Sequence, residues 1–275
     1  MPHRILVGAA EIIALTDIEV AYPLGDLYPG VAPDRLEPYR DLLNRDGQFV
    51  LNFSCHLVRA DGKTVLIDTA WGPAWEGHLM EELSQAGVRP EEVDVVTFTH
   101  LHIDHYGWNL ERDGERWKPR FPNARYVVNQ ADWDYFAKGE SVFEPENEFA
   151  AFQVTMAPLP ELGVLDLFTG NHTYSASLSG EHTPGHTPGH MSFVVSSQGE
   201  KCFILGDVAL SPVDAHEEEW NLLSDEVPEQ AIATRKRVLG QLEAEGTLVA
   251  ANHFPAPGFG RFTRSGERRA WVEAD

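Results

Sequence analysis

One stretch constrains this chain more than any other. Thr99-His100-Leu101-His102-Ile103-Asp104-His105 follows directly on the apolar, β-branched run Val93–Phe98. Three imidazoles and a carboxylate crowded together at the end of a buried strand must be paired, solvated or ligated. Any fold for this sequence has to bring partners to them. Other segments offer the same kinds of group. His182-Thr183-Pro184-Gly185-His186-Thr187-Pro188-Gly189-His190 carries Thr-Pro-Gly-His twice in succession, and its Pro-Gly pairs favour tight turns. Phe203-Ile204-Leu205-Gly206-Asp207 is an apolar run ending in a carboxylate, and Val249-Ala250-Ala251-Asn252-His253 is one ending in an imidazole. Neutral imidazoles with a few carboxylates suit zinc and its neighbours among the divalent metals.

Strand-length apolar runs recur along the chain: Ile5–Val7, Ile12–Leu15, Phe49–Val58, Thr64–Asp68, Val93–Thr99, Arg125–Val128, Val164–Phe168, Met191–Ser196, Lys201–Gly206 and Thr247–Ala251. Gly, Pro, Asp or Asn bounds most of them. Between them the spacing predicts helices over Ala74–Ala86, Gln130–Ala137, Glu146–Met156 and Pro228–Glu245. Strands interspersed with helices point to a layered α/β fold. There is no linker, repeat or low-complexity tract, so residues 1–275 read as one domain. Ala21–Gly47 stands apart: it is rich in Pro, Gly, Tyr and Leu and follows neither periodicity. Such a segment reads as a lid that sets substrate choice or as a loop covering a sheet edge.

Composition narrows the partners. Asp and Glu outnumber Lys and Arg by 43 to 21, a formal charge of −22, and no basic cluster offers a footprint for nucleic acid or an anionic membrane. No apolar run approaches the roughly 18 residues that a membrane-spanning helix needs. Glu11 interrupts the apolar N-terminal stretch, which reads as a first strand rather than a leader, and the expected location is cytoplasmic. Cys55 and Cys202 lie in apolar surroundings and read as buried thiols. A small-molecule substrate is the expected partner, with a homodimer left open.

The order of these motifs resembles the metallo-β-lactamase superfamily of binuclear metallohydrolases, from Leu66-Ile67-Asp68-Thr69 to His253. The resemblance implies a four-layer αββα sandwich, two mixed sheets face to face with helices outside. It also implies two divalent ions. His100, His102 and His186 would hold one, Asp104, His105 and His253 the other, and Asp207 would bridge both. Zn2+ is the expected metal, while Mn, Fe or Co suits the same donors. Asp68 would support the loop that carries the histidines, and His182 and His190 would stand behind the ligands or serve the turn. A hydroxide shared by the ions would attack an ester or lactone carbonyl, or the phosphorus of a phosphotriester, with Asp104 or Asp207 relaying a proton. No Gly-x-Ser-x-Gly nucleophile elbow occurs.

Within the superfamily the chain resembles the lactonase and organophosphate-hydrolase branch. Asp207 stands where common metallo-β-lactamases have Cys, and His102 where flavodiiron proteins have Glu. After Asp207 the sequence reads Val208-Ala209-Leu210, without the Tyr usual in N-acyl homoserine lactonases. That brings it closer to methyl-parathion-hydrolase-like or broad esterase and lactonase members. N-acyl homoserine lactone hydrolysis and an iron-holding redox role are the alternatives. Leu27, Tyr28, Trp71, Tyr106, Trp108 and Phe254 are candidate pocket residues; packing into the core is at least as compatible with each aromatic.

Overall fold

The apolar positions of the strands alternate between two packing environments, and that alternation builds the layers. The structure, a computed structural model, describes residues 2–141, 148–266 and 268–274. The first sheet comprises β1 (His3–Val7), β2 (Ala10–Tyr22), β3 (Phe49–Ala60), β4 (Lys63–Ile67), β5 (Val95–Thr97), β8 (Arg125–Asn129) and β9 (Leu165–Phe168), in that spatial order. A separate hairpin, β6 (Leu110–Asp113) and β7 (Arg116–Pro119), lies between β5 and β8 in sequence. The second sheet runs β10 (His172–Thr173), β11 (Leu178–His182), β12 (Met191–Ser197), β13 (Glu200–Ile204), β14 (Leu248–Ala250), β15 (Phe259–Ser265) and β16 (Arg268–Glu273). Each sheet mixes antiparallel pairs with parallel ones, β4–β5–β8–β9 in the first and β13–β14 in the second.

Ile12, Ala14, Val58, Val65 and Ile67 of the first sheet share one buried cluster with Met191, Phe193, Val195, Cys202, Ile204 and Ala250 of the second. That cluster is the sandwich interior. Their sequence neighbours Ile13, Leu15, Leu57 and Leu66 point the other way, against α3 (Leu79–Gln85), α4 (Gln130–Ala137) and α5 (Glu148–Thr155). Phe203, Leu205, Val249 and Ala251 do the same against α7 (Pro228–Glu245). The result is the expected αββα sandwich. Cys55 and Cys202 are buried free thiols. No helix of the described residues is long and apolar enough to cross a membrane.

Two local expectations change. Ala74–Ala86 is not one helix. A 3-10 turn at Pro73–Trp75 ends at Glu76 in the left-handed region (φ 58°), and α3 begins only at Leu79. Gly77 sits against the buried Asp17 carboxylate with no room for a Cβ, so the chain breaks there to wrap that acid. Ala21–Gly47 is not structureless. Tyr22 closes β2, and α1 (Leu24–Leu27), α2 (Pro33–Leu36) and a 3-10 turn (Glu37–Leu42) follow. Four-residue helices are too short to show a 3.6-residue period. Leu24, Leu27, Tyr28 and Tyr39 pack with Leu51 and Phe53 of β3 and with Leu210, Val213 (in α6, Val213–His216), Trp220 and Leu222. The expected start of the third helix at Glu146 lies outside the described residues.

Candidate metal centre

Four strands deliver the chemistry to one edge of the sandwich. β4 ends at Asp68, β5 leads into His100 and His102, β13 leads through Gly206 to Asp207, and β14 leads to His253. Asp104 and His105 ride on a 3-10 turn at Ile103–His105, and His186 lies in the turn between β11 and β12. In open α/β sheets, chain leaving the carboxyl ends of parallel strands is free of the ladder and converges there.

The donors meet. His100 Nε2 lies 2.9 Å from His102 Nδ1, which lies 3.0 Å from His186 Nε2. The three rings are mutually perpendicular, at 90°, 89° and 89°. Asp207 Oδ2 is 3.1 Å from His253 Nε2, 3.4 Å from His186 Nε2, 3.7 Å from His105 Nε2 and 3.8 Å from His100 Nε2. Asp104 Oδ2 is 3.3 Å from His105 Nε2 and 3.6 Å from His253 Nε2. His105 Nε2 and Asp207 Oδ1 are buried without a hydrogen-bond partner among the described residues. Buried orphans are costly, and converging imidazole nitrogens repel unless a proton or cation lies between them. The donors form three sets, His100/His102/His186, His100/His105/Asp207 and Asp104/His105/His253. That arrangement fits two divalent cations sharing Asp207.

Each ring also has an outward partner, which settles which nitrogen faces the centre. Thr99 Oγ1 lies 3.0 Å from His100 Nδ1, Asp68 Oδ2 3.0 Å from His105 Nδ1, and the Asn52 carbonyl 3.2 Å from His253 Nδ1. Asp68 also accepts from Thr99 N and Oγ1 and from Asn252 Nδ2, tying β4, β5 and β14 together. Burial opposes charge on both Asp207 and His105. The facing imidazoles nonetheless hold the Asp207 carboxyl well below its usual range, and Asp104, Asp68 and Asp207 raise His105 well above its own. His100 is lowered, by burial first and by its neighbouring imidazoles second.

His190 accepts from the Asp207 amide at Nε2 (2.9 Å), and its Nδ1 faces Thr183, so it orients the bridging acid. Gly206 is in the left-handed region, and a Cβ there would come within 2.6 Å of His190 Nε2, so only glycine fits before Asp207. His182 takes no part in the cluster: its Nε2 meets the Pro188 carbonyl at 2.9 Å and closes the turn.

The pocket departs from expectation. A cavity of about 280 Å³ opens onto His102, Asp104, Asp207 and His253 and is walled by Tyr22, Leu27, Leu51, Phe53, Ile103, Leu210 and Leu223, with Trp71 beside them. Leu27 and Trp71 were anticipated. Tyr28, Tyr106, Trp108 and Phe254 are not in its wall. Tyr28 is fully buried, its hydroxyl with Ser211 Oγ and Asp214 Oδ1. Tyr106 packs in the outer core, Trp108 there donates Nε1 to Asp17, and Phe254 packs on Phe262 and Trp271. Sequence adjacency to a ligand places a side chain near the centre but does not say which way it turns.

Residues 50–258 match the family described as the Metallo-beta-lactamase superfamily. The chain belongs to that superfamily. The fold of this superfamily member is shared by the hydrolase AbOPH of the beta lactamase superfamily (TM-score 0.86, 23% identity, 100% of this chain and 97% of that one). It is shared equally by AidC, a dizinc quorum-quenching lactonase (TM-score 0.85, 23% identity, the same coverage). Endoribonuclease ysh-1 of Neurospora crassa is 25% identical over 226 residues, which are 78% of this chain and 24% of that protein. The chain thus spans about a quarter of the length of the curated relatives it matches. The donors gathered at this edge suit divalent metals, as the superfamily's name implies.

Some supporting residues carried no sequence signal. Asp132, in α4, accepts from Leu101 N (3.1 Å), Thr187 Oγ1 (2.9 Å) and Gly189 N (2.5 Å), so it clasps the His100–His102 loop to the His186 turn; burial raises it to about 6. Asp17, left out of the β2–β3 register, accepts from Leu79 N, Gly72 N and Trp108 Nε1 and shapes the loop behind Trp71.

Proposed function

We propose that this superfamily member hydrolyses ester or lactone bonds of apolar small molecules at a binuclear centre held by His100, His102 and His186, by Asp104, His105 and His253, and by Asp207 between them. The observation that carries this reading is the junction of a converged donor set with an apolar cavity that opens directly onto Asp104 and Asp207. Two divalent ions, zinc being the best match to five imidazoles, would when bound supply an ionised water and Lewis-acid polarisation of the carbonyl.

The chain's own groups do the rest. Leu27, Leu51, Phe53, Leu210 and Leu223 exclude water and seat the apolar part of the substrate. Asp207 Oδ1, without a hydrogen-bond partner among the described residues, and Asp104 Oδ2 are the carboxylate oxygens positioned to hold the proton released as the nucleophile adds. Tyr22 presents a phenol in the same wall; burial and the nearby Asp104 raise its pKa, which keeps it a proton donor.

Two finer readings have support. Likeness to AidC favours lactones such as N-acyl homoserine lactones, and Val208-Ala209-Leu210 after Asp207, without a Tyr, favours the organophosphate-hydrolase branch. A charge of −22 argues against a polyanionic RNA substrate like those of the endoribonuclease relatives. A panel of esters, lactones and phosphotriesters, assayed with metal-replete and chelator-treated protein in oxygen-18 water, tests the proposal. Label entering the product acid in a single turnover supports it. A trapped acyl-enzyme, or full activity after chelation, refutes it.

A further inference from the structure

Asp225 and Glu226, consecutive residues before α7, reach two different histidines of the same donor set. Asp225 Oδ1 lies 3.0 Å from His186 Nδ1, and Glu226 Oε1 lies 3.3 Å from His102 Nε2. The opposite nitrogens of those two rings are the ones that meet at 3.0 Å. The backbone follows the same path: Glu226 N donates to the His186 carbonyl and Val227 N to that of Gly185, both at 2.9 Å.

Both acids are anchored from behind. Asp225 Oδ2 accepts from Arg235 NH2 at 3.1 Å and from Leu222 N at 3.2 Å. Arg235, fully buried in α7, also donates to the carbonyls of Val208 (2.8 Å), Trp220 (2.7 Å) and Glu218 (3.3 Å), which fixes its guanidinium beside the segment that carries Asp207. Glu226 accepts from the Tyr135 hydroxyl at 2.9 Å and from Ser141 Oγ. The third ring of that set, His100, is backed by the Thr99 hydroxyl; in the other set one carboxylate, Asp68, faces His105, and His253 is backed by the Asn52 carbonyl.

We infer that Asp225 and Glu226 are positioning residues that bias the centre toward tight binding at the three-histidine set. A carboxylate facing Nδ1 of His186 fixes its proton there and turns the Nε2 lone pair inward. A carboxylate facing Nε2 of His102 does the reverse and turns Nδ1 inward. The pair imposes opposite tautomers on two touching rings and makes both nitrogens better donors. This rests on the proposed binuclear reading and adds an order of affinity to it: the ion held by His100, His102 and His186 is the last to leave.

The test is competition of the protein for zinc against a chromophoric chelator. Glu226→Gln should weaken one of two ions about 10- to 100-fold and leave the other unchanged. In the His253→Ala protein, which keeps the three-histidine set, the same substitution should weaken the remaining ion. Asp225→Asn should act alike. If it fails to fold because Arg235 loses its partner, Tyr135→Phe, which keeps the carboxylate and removes one anchor, should give a smaller loss confined to the same ion. Imidazole nitrogen-15 spectra of the metal-free protein should show His102 and His186 in opposite tautomers, and Glu226→Gln should mix those of His102. Equal weakening of both ions, or no weakening, overturns the inference alone. A wild-type protein that binds no ion overturns the proposed function with it.

Discussion

Asp207 Oδ2 stands 3.1 Å from His253 Nε2, yet the same oxygen is also within 3.8 Å of His100, His105 and His186. His253 has a narrower reach, to Asp207 and Asp104. The two residues should therefore differ when removed. Asp207→Asn should weaken both ions, and His253→Ala should release one. Elemental analysis after graded chelation reads the difference, and equal losses from His253→Ala would contradict the ligand assignment.

Asp132 joins two ligand-bearing loops through three hydrogen bonds. Asparagine keeps one side-chain acceptor and places an amide against donors. Asp132→Asn should cost about 1–3 kcal/mol of stability and weaken metal binding, because the His186 turn loses its register with His100 and His102. Denaturant midpoints of metal-free and metal-loaded protein test this. A loss confined to the metal-loaded form would show that Asp132 does not support the fold.

His56 gives a pH signature away from the centre. It is fully buried on β3 with neither ring nitrogen hydrogen-bonded among the described residues, and burial lowers its pKa to about 4 from 6.5. Above the unfolded value both states are neutral, so the residue is silent there. As pH falls through that value the unfolded chain takes up a proton that the native state refuses until about 4, so stability is lost over that window. The penalty at pH 5 relative to neutral pH is about 2 kcal/mol. His56→Leu should flatten that part of the acid limb in urea unfolding of metal-free protein. An unchanged difference between neutral and acid midpoints would reject the assignment.

Leu27 and Tyr28 are adjacent in sequence but separate in role. Leu27 faces the cavity, whereas the Tyr28 hydroxyl is locked to Ser211 and Asp214. Leu27→Ala should raise KM for bulky apolar esters more than it lowers kcat, by on the order of 1–3 kcal/mol of discrimination, with metal content unchanged. Tyr28→Phe should leave the bulky-to-small ester ratio alone and lower stability by about 1–2 kcal/mol. Equal shifts on bulky and small esters from Leu27→Ala would remove the segment's part in specificity.

The layered α/β class and the first cluster of donors were legible because both are written in local pattern. Continuous apolar runs such as Ile12–Leu15 and Phe203–Leu205 specify strands buried on both faces, whose successive residues pack into different clusters. His-x-His-x-Asp-His is legible because crowded polar groups at a strand end have few stable fates, whereas His186, Asp207 and His253 were assigned through the resemblance to the superfamily. Boundaries at a buried acid were not legible: the break before α3 depends on Asp17, some sixty residues upstream of Gly77 in sequence and in direct contact with it in space.

What the sequence alone determined, then, was a layered α/β class and a crowd of donors at one strand end, and its resemblance to the superfamily named the remaining donors. Only the tertiary structure decided which side chains face the cavity and which atoms hold the histidines in place. Tyr106, Trp108 and Phe254 neighbour ligands along the chain yet turn into the core, while Leu51, Phe53, Leu210 and Leu223 arrive in the pocket from separate segments. Asp132, Asp225 and Glu226 support the centre through contacts spanning 31 to 124 positions along the chain. Such contacts carry no local periodicity, because an isolated acid on a helix or loop looks the same in sequence whether it meets water or an imidazole.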